Sequence, residues 1–267
     1  MSFQSMCAGA VAVSIGAAAS ATTLSYPGFS DTTGLTLSGA SSVVDNGIDG
    51  DVVRLASEDA NAGSFFASGL VSINTFQAEF SFRITDVGGI SDLSGQVGAD
   101  GLAFVVQNEG VDALGGSGSG IGYSGIRPSL VIEFDTFFNS PTDPDSNHIG
   151  IVVSDGGPLT TVETASVTEQ FDNGELWNAR VTYDGTTLTV FAAPDGNDLL
   201  TPVVTVDDLE LLTILGSNSA FVGFTASTAG AFGNHDIVSF SYVPTPGAAV
   251  GLAFGAAAIC TRRRRSE

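Results

Sequence analysis

From Thr22 to Tyr242 the chain shows apolar positions recurring every second residue, and no stretch keeps the 3.6-residue period of an amphipathic helix. The clearest segment is Phe76 to Ile84, FQAEFSFRI. Its alternate members point to opposite faces, one wholly apolar and the other mostly polar, which predicts a half-buried antiparallel strand. Strands are also predicted at Leu102–Val106, Leu130–Phe137, Ile149–Val153, Ala179–Tyr183, Thr187–Phe191, Ala220–Thr225 and Ile237–Tyr242. Clusters of Gly, Asn and Asp punctuate them, including a turn at Tyr183-Asp184-Gly185. Many strands with no helical crossovers predict an all-β, two-sheet antiparallel sandwich, and with no internal linker the body is one domain.

Composition narrows the partners. The 267-residue chain carries 8 basic and 29 acidic residues, no lysine, and a formal net charge of −21. Half of the basic residues lie in the last six positions. Between Thr22 and Thr261 there are 4 arginines against 28 acidic residues, a net charge of about −24. Such a body favours cations and neutral ligands. The acidity argues against nucleic acid or an anionic membrane as main partner, because phosphate binding needs clustered Lys and Arg. Both cysteines, Cys7 and Cys260, fall in the end segments, so the body is not held by disulfides.

The ends are distinct from the body. Residues 7–19 form an apolar run too short to span a bilayer, followed by Ala19-Ser20-Ala21, a small-x-small cleavage pattern; residues 1–21 are expected to be a secretory signal peptide. At the other end, Val243-Pro244-Thr245-Pro246 precedes an uncharged Gly/Ala-rich stretch to Cys260 and then Arg262 to Arg265. The Arg block would hold that stretch on the cytoplasmic side of a membrane. Residues 243–267 resemble PEP-CTERM sorting signals of Gram-negative bacteria, with Thr245 where Glu is usual between the prolines. The resemblance implies export, a membrane sorting protease as partner, and release or attachment at the cell surface. A plain single-pass anchor is the alternative.

The richest stretch chemically is Leu130 to Val153, LVIEFDTFFNSPTDPDSNHIGIVV. On its first strand Glu133, Asp135 and Phe137 share the face opposite Leu130, Ile132 and Phe134. Carboxylates on an otherwise apolar strand cost several kcal/mol if buried without partners. A solvated outer face is one solution and a bound cation the other. Asn139, Asp143 and His148 follow within a short loop, and because the chain doubles back, His148 can arrive opposite Glu133 and Asp135. Oxygen ligands with a carbonyl suit Ca²⁺, whereas carboxylates with an imidazole suit Mn²⁺ or another transition metal.

The pattern E-F-D-T-F-x-N-x-x-x-D-P-x-x-x-H-I-G-I, from Glu133 to Ile151, resembles the metal-binding segment of L-type (legume) lectins. Ala99-Asp100-Gly101-Leu102-Ala103-Phe104 is similar to the family's A-D-G-x-x-F. Leu35 to Ala40, Phe76 to Ile84, Trp177 to Val190 and Gly223 to Tyr242 resemble further family strands, so the likeness covers nearly all of Thr22 to Tyr242. It implies a concanavalin A-like jelly roll and a non-catalytic, metal-dependent carbohydrate-binding domain over residues 22–242. Under that resemblance Glu133 and His148 bind the transition metal, Asp135 and Asp143 bridge both ions, and Asn139 with the carbonyl of Phe137 completes the Ca²⁺ site. Asp100 and Asn139 would hydrogen-bond sugar hydroxyls, with the Phe137 ring stacked on the pyranose, and the Ala99–Asp100 peptide would be cis. The chemistry is apt, since a sugar's polar rim suits fixed carboxylate and amide groups and its C–H face suits an aromatic ring.

A backbone N–H from a Gly-rich loop would complete the sugar site, and the loop Gly115 to Tyr123 offers Gly118 first and Gly120 second. A phosphate cradle is the rival use of these glycines, but neither a Lys nor a helix follows them. The loop expected to set specificity, Ser227-Thr228-Ala229-Gly230-Ala231, has no acidic or long polar residue. His235 is expected to be a structural or loop residue, Trp177 a core residue, and Asp145 a solvated loop carboxylate.

Three function classes remain. The first is an exported lectin binding glycans or glycoconjugates at a cell surface or matrix. The second is a glycoside hydrolase on the same architecture, which needs two carboxylates about 5–9 Å apart. The E-x-D-x-E or E-x-D-x-x-E arrangement is broken here by Phe137 and Phe138, so no enzyme is expected. The third is a structural matrix protein whose degenerate domain no longer binds sugar.

Overall fold

The computed structural model describes residues 22–57 and 61–245. The expected signal peptide, and all of the expected sorting segment beyond Thr245, lie outside the described residues. The strands in chain order are β1 (Leu24–Tyr26), β2 (Leu35–Gly39), β3 (Ser42–Asp45), β4 (Asp51–Ala56), β5 (Ala62–Ala67), β6 (Val71–Ser72), β7 (Phe76–Gly89) and β8 (Gly101–Gln107). They continue as β9 (Ser129–Asp135), β10 (His148–Ser154), β11 (Thr160–Ser166), β12 (Leu176–Tyr183), β13 (Leu188–Pro194), β14 (Val204–Val206), β15 (Ser219–Ser227) and β16 (Ala231–Pro244). One five-residue helix, α1 (Leu211–Leu215), lies between β14 and β15. Among the described residues no helix is long and apolar enough to cross a membrane.

The strands form two antiparallel sheets of eight. The first has the order β14-β13-β12-β7-β16-β4-β3, with β1 also on β16. The second has the order β11-β10-β9-β8-β15-β5-β2, with β6 also on β15. Strand β7 alternates buried and more exposed positions from Phe76 to Ile84, as its pattern predicts. Its apolar face meets the second sheet through a ladder of rings. Phe80 lies 4.9 Å from Phe224 and Phe82 lies 5.1 Å from Phe134, while beside them Phe171, from the connection before β12, lies 4.7 Å from Trp177 of β12, between centroids. Edge-to-face pairs at such spacing add to burial energy. Trp177 is a core residue, as expected.

Strand β16 runs past its expected end at Tyr242, pairing Val243 and Pro244 with Gln77 and Phe76. Strand β9, by contrast, stops two residues before Phe137. The Asp135 carboxylate accepts the Phe137 N–H at 2.8 Å, so that amide turns away from the ladder.

Strands β8 and β9 are buried on both faces. The inner face faces the aromatic core. The outer face is covered by the chain between β8 and β9, whose Ala113, Ile121, Tyr123 and Ile126 form a second apolar cluster with Phe66, Val105, Val131 and Val152. Of the two environments open to Glu133 and Asp135, the solvated face is thereby ruled out: they are only 7% and 4% exposed.

Candidate functional site

The site grows from one end of the second sheet, where a single row of cross-strand partners runs Ser227, Gly101, Asp135, His148. Partners directly opposite one another project to the same face. The next row inward on that face runs Thr225, Ala103, Glu133, Gly150. Glu133 therefore stands between two small residues, which leave space for its carboxylate. The loop between β9 and β10 folds back over this end. There the Asp143 carboxylate accepts the Asn139 N–H at 2.6 Å, and the Asn139 carbonyl accepts the Thr142 N–H at 2.9 Å.

Asp135, Asp143 and His148 each bring one ligand atom within 4.8 Å of the others. Glu133 Oε1 lies 3.9 Å from His148 Nε2. Its other oxygen, Oε2, accepts a short hydrogen bond from the Tyr123 hydroxyl. His148 arrives directly opposite Asp135, as the doubling back of the chain predicts. Asp145 is a loop carboxylate whose side chain keeps 38% of its surface in solvent, as expected, yet it also faces the site. It is partly buried, accepts the Asn147 N–H at 2.9 Å, and has an oxygen 3.8 Å from His148 Nδ1.

Asp100 sits where the chain enters β8. The Ala99–Asp100 peptide is cis, as the resemblance implies. The Asp100 N–H donates to Ser227 O at 2.9 Å, and its carbonyl accepts the Thr136 N–H at 3.2 Å. Asp100 is thereby fastened to β15 and to the segment leaving β9. Next to it, Gly101 has φ +117° and so close a backbone neighbour that a Cβ would come 2.2 Å from Phe134 O, so only glycine fits. The Gly101 N–H donates to His235 Nε2 at 3.3 Å. His235 belongs to the opposite sheet and is fully buried, which lowers its pKa to about 4 and keeps its ring neutral as an acceptor.

The electrostatics are those of crowded anions. Burial pushes the Asp100 carboxyl up to about 7. Burial also raises Asp135 well above the usual carboxylate range. The charges of Glu133, Asp143 and Asp100 add to that rise, and the Phe137 N–H opposes it. Glu133 is raised by burial and by Asp143, against the Tyr123 hydroxyl. His148 is lowered by burial. Asp100 Oδ2, Asn139 Oδ1 and His148 Nδ1 are buried side-chain atoms with no hydrogen-bond partner. Buried polar atoms are almost always paired. The two orphaned oxygens of Asp100 and Asn139 beside like charges fit a bound cation, and oxygens with the His148 Nε2 that faces Glu133 fit the donor chemistry of Ca²⁺ and a transition metal.

The Gly-rich loop reaches the same end of the sheet. Gly118 N–H donates to Thr228 O at 3.3 Å, Ser227 Oγ donates to Gly118 O at 2.9 Å, and Gly120 N–H donates to Ser117 O at 3.4 Å. Both candidate donors thus have long internal contacts. Only Thr228, Ala229 and Gly230 separate β15 from β16, so the connection facing Gly118 is short.

Several contributors carry weak sequence signals. Asp92 accepts the Phe138 N–H at 3.1 Å and organises its own loop through Ser94 and Gln96. Asn147 ties the loop between β9 and β10 to Val167, Glu169 and Phe171. An aspartate before a serine-glycine turn suggests a loop brace, but its partner is set by tertiary packing. Tyr123 had no signal beyond its place at the end of the glycines.

Comparison with known proteins agrees with this fold. A profile described as Legume lectin domain matches residues 21–250. The erythroagglutinating phytohemagglutinin of Phaseolus vulgaris is 33% identical over 152 residues, covering 54% of this chain and 53% of that protein. The basic agglutinin of Psophocarpus tetragonolobus is 30% identical over 184 residues, covering 64% and 69%. The chain thus spans about half the length of the first of these relatives and about two thirds of the second. Among solved structures, basic winged bean lectin with Tn-antigen is similar at a TM-score of 0.67 and 25% identity, covering 84% of this chain and 98% of that one. The lectin from Bauhinia forficata in complex with GalNAc has a TM-score of 0.67 at 22% identity, covering 85% and 100%.

Proposed function

The chain belongs to the legume lectin domain family, and we propose that it is a metal-dependent lectin that recognises glycans without catalysis. Members of that family are non-catalytic carbohydrate-binding proteins. The observation that carries the proposal is the single register row Gly101–Asp135–His148, which sets the unpaired Asp100 carboxylate beside the buried acidic cluster.

Glu133, Asp135, Asp143 and His148 are the residues to hold a transition metal. Asp135, Asp143, Asn139 and the Phe137 carbonyl are those to hold Ca²⁺. Bound there, cations would supply the positive charge that the buried carboxylates lack. The chain's own residues then do the recognition. Asp100 and Asn139 present acceptor oxygens to sugar hydroxyls, Phe137 offers a ring to the C–H face, and the loop at Gly118 and Gly120 closes the opposite wall. The acidic body, with Arg54 and Arg83 each paired to an aspartate, favours neutral saccharides. The apolar run at residues 7–19 and the Pro–Arg pattern at residues 243–267 support export to a cell surface or matrix, with a sorting protease acting on the latter.

Glycan-array binding of the full chain with Ca²⁺ and Mn²⁺, and again after EDTA, tests the proposal, with GalNAc as the first soluble probe. Binding lost on chelation and restored by the metals is expected. Binding that survives complete chelation refutes the metal-assembled site, and absence of binding to any glycan with metals present leaves a structural role instead.

A further inference from the structure

Tyr123 occupies an unusual position between two parts of the molecule that serve different purposes. Its backbone belongs to the Gly-rich loop: its N–H donates to Gly120 O at 2.9 Å and its carbonyl accepts the Ile126 N–H at 2.9 Å. The ring is buried in the second apolar cluster, on the outer face of the second sheet. The hydroxyl leaves that cluster to donate to Glu133 Oε2, while Glu133 Oε1 is the oxygen that faces His148. One carboxylate is thus shared between a loop residue and the acidic cluster.

The loop packs on the sheet through the fully buried Ile121 and the Tyr123 ring, and its other hydrogen bonds run within itself and to one strand. Its own bonds are local, such as Gly115 N–H to Gly122 O at 2.7 Å and Gly122 N–H to Gly116 O at 2.9 Å. Its external ties are to β15 and the turn after it: Thr225 Oγ1 donates to Ile121 O at 2.8 Å, and Ser227 and Thr228 meet Gly118. Tyr123 supplies the connection toward β9. Glu133 for its part has few alternatives. It is 7% exposed and flanked by Ala103 and Gly150, so a swing of its carboxylate away from the hydroxyl has nowhere polar to go except toward His148.

From this geometry we infer that Tyr123 is a positioning residue that couples the transition-metal side of the site to the Gly115–Ser124 loop. The inference rests on the metal reading given above and adds a named link to it. The hydroxyl holds Glu133 Oε2, which leaves Oε1 facing His148; a bound metal would steady Glu133 and, through the hydroxyl, the β9 side of the loop. Removing the hydroxyl while keeping the ring leaves the apolar cluster filled and cuts only this link. Partners that orient a metal-binding side chain are commonly worth about 10–100-fold in metal affinity.

The test uses the full chain saturated with Ca²⁺, titrated with Mn²⁺ alone, and compares wild type with Tyr123→Phe. Mn²⁺ affinity is read by calorimetry, and amide hydrogen exchange is read by mass spectrometry over two segments, 135–146 and 115–124. In wild type, Mn²⁺ slows exchange in both segments. In Tyr123→Phe, Mn²⁺ affinity is expected to fall by about tenfold or more. At saturating Mn²⁺ the variant's segment 135–146 is still slowed, and its segment 115–124 is not. The same slowing of 115–124 in the variant as in wild type overturns the link, and so does a wild-type loop that ignores Mn²⁺ while 135–146 responds. In both those outcomes the metal site itself stands. If Mn²⁺ slows neither segment in wild type, the metal reading fails and the link with it. The wild-type comparison needs no variant, so a Tyr123→Phe chain that did not fold would still leave the inference open to refutation.

Discussion

Gly150 stands directly opposite Glu133 across the β9–β10 pair with no space between them: a Cβ at position 150 would come 2.1 Å from Glu133 Oε1 and 2.8 Å from the carboxyl carbon. The missing side chain is what lets a buried carboxylate lie flat against the neighbouring strand. Gly150→Ala is therefore expected to push Glu133 out of place while leaving the sandwich folded. Calorimetric titration should show Mn²⁺ affinity reduced by about tenfold or more, as for other losses of ligand orientation, with Ca²⁺ affinity changed less. Unaltered Mn²⁺ affinity in a folded variant would remove Glu133 from the ligand set.

Asp100 links stability to pH. Burial raises its carboxyl to about 7, whereas an unfolded chain titrates Asp at about 3.9. The folded state thus holds the proton more tightly than the unfolded state. The associated stability is fully present below about pH 4 and is lost as the pH rises through about 7. With EDTA present, the melting temperature of Asp100→Asn minus that of wild type should grow from little near pH 4 to its full value near pH 8. A difference that stays constant across that window would mean that the carboxyl is not charged against its environment.

The same substitution should act oppositely on recognition. With Ca²⁺ and Mn²⁺ present, Asp100→Asn loses a charged acceptor; hydrogen bonds to charged groups are worth about 1.5–3 kcal/mol, so affinity for a glycan found on the array should fall by about 10–100-fold. Circular dichroism checks that the fold is kept. Equal affinity of variant and wild type would take Asp100 out of the sugar site.

A separate prediction concerns the first sheet. Arg54 Nε and Nη2 bond Asp236 at 2.7 and 2.9 Å, and Asp236 is 1% exposed. Breaking a buried ion pair from one side typically costs about 3–5 kcal/mol, because the partner charge is stranded. Since Arg54 retains some solvent contact, Asp236→Ala should cost about 3 kcal/mol in urea unfolding, toward the lower end of that range. A loss of only a few tenths of a kcal/mol would show that Arg54 reaches water freely or finds Asp49 or Asp86 instead.

Phe76 to Ile84 was legible because one buried face imposes a strict two-residue period, and the same logic placed β9 and β10. The spacing from Glu133 to His148 also survives intact, since strand register converts it directly into neighbours: Asp135 does face His148. Less legible was what lies over Glu133. Whether a strand's second face is wet or dry depends on a segment about ten or more residues away in sequence folding back over it, and no local pattern in Gly115 to Tyr123 announces that. Similarly, His235 follows an unremarkable Gly233-Asn234 and reveals its partner, Gly101, only when the two sheets are stacked. The end of β9 failed by two residues because the Asp135 side chain competes for an amide that the alternation assigns to the ladder.

The hydrogen bond from Gly101 to His235 joins one layer of the sandwich to the other immediately beside Asp100. A slide of one layer against the other would stretch that bond at the residue next to Asp100. Ligand affinity should therefore act as a gauge of layer alignment, deteriorating under pressure or mild denaturant while the bulk of the protein still looks native.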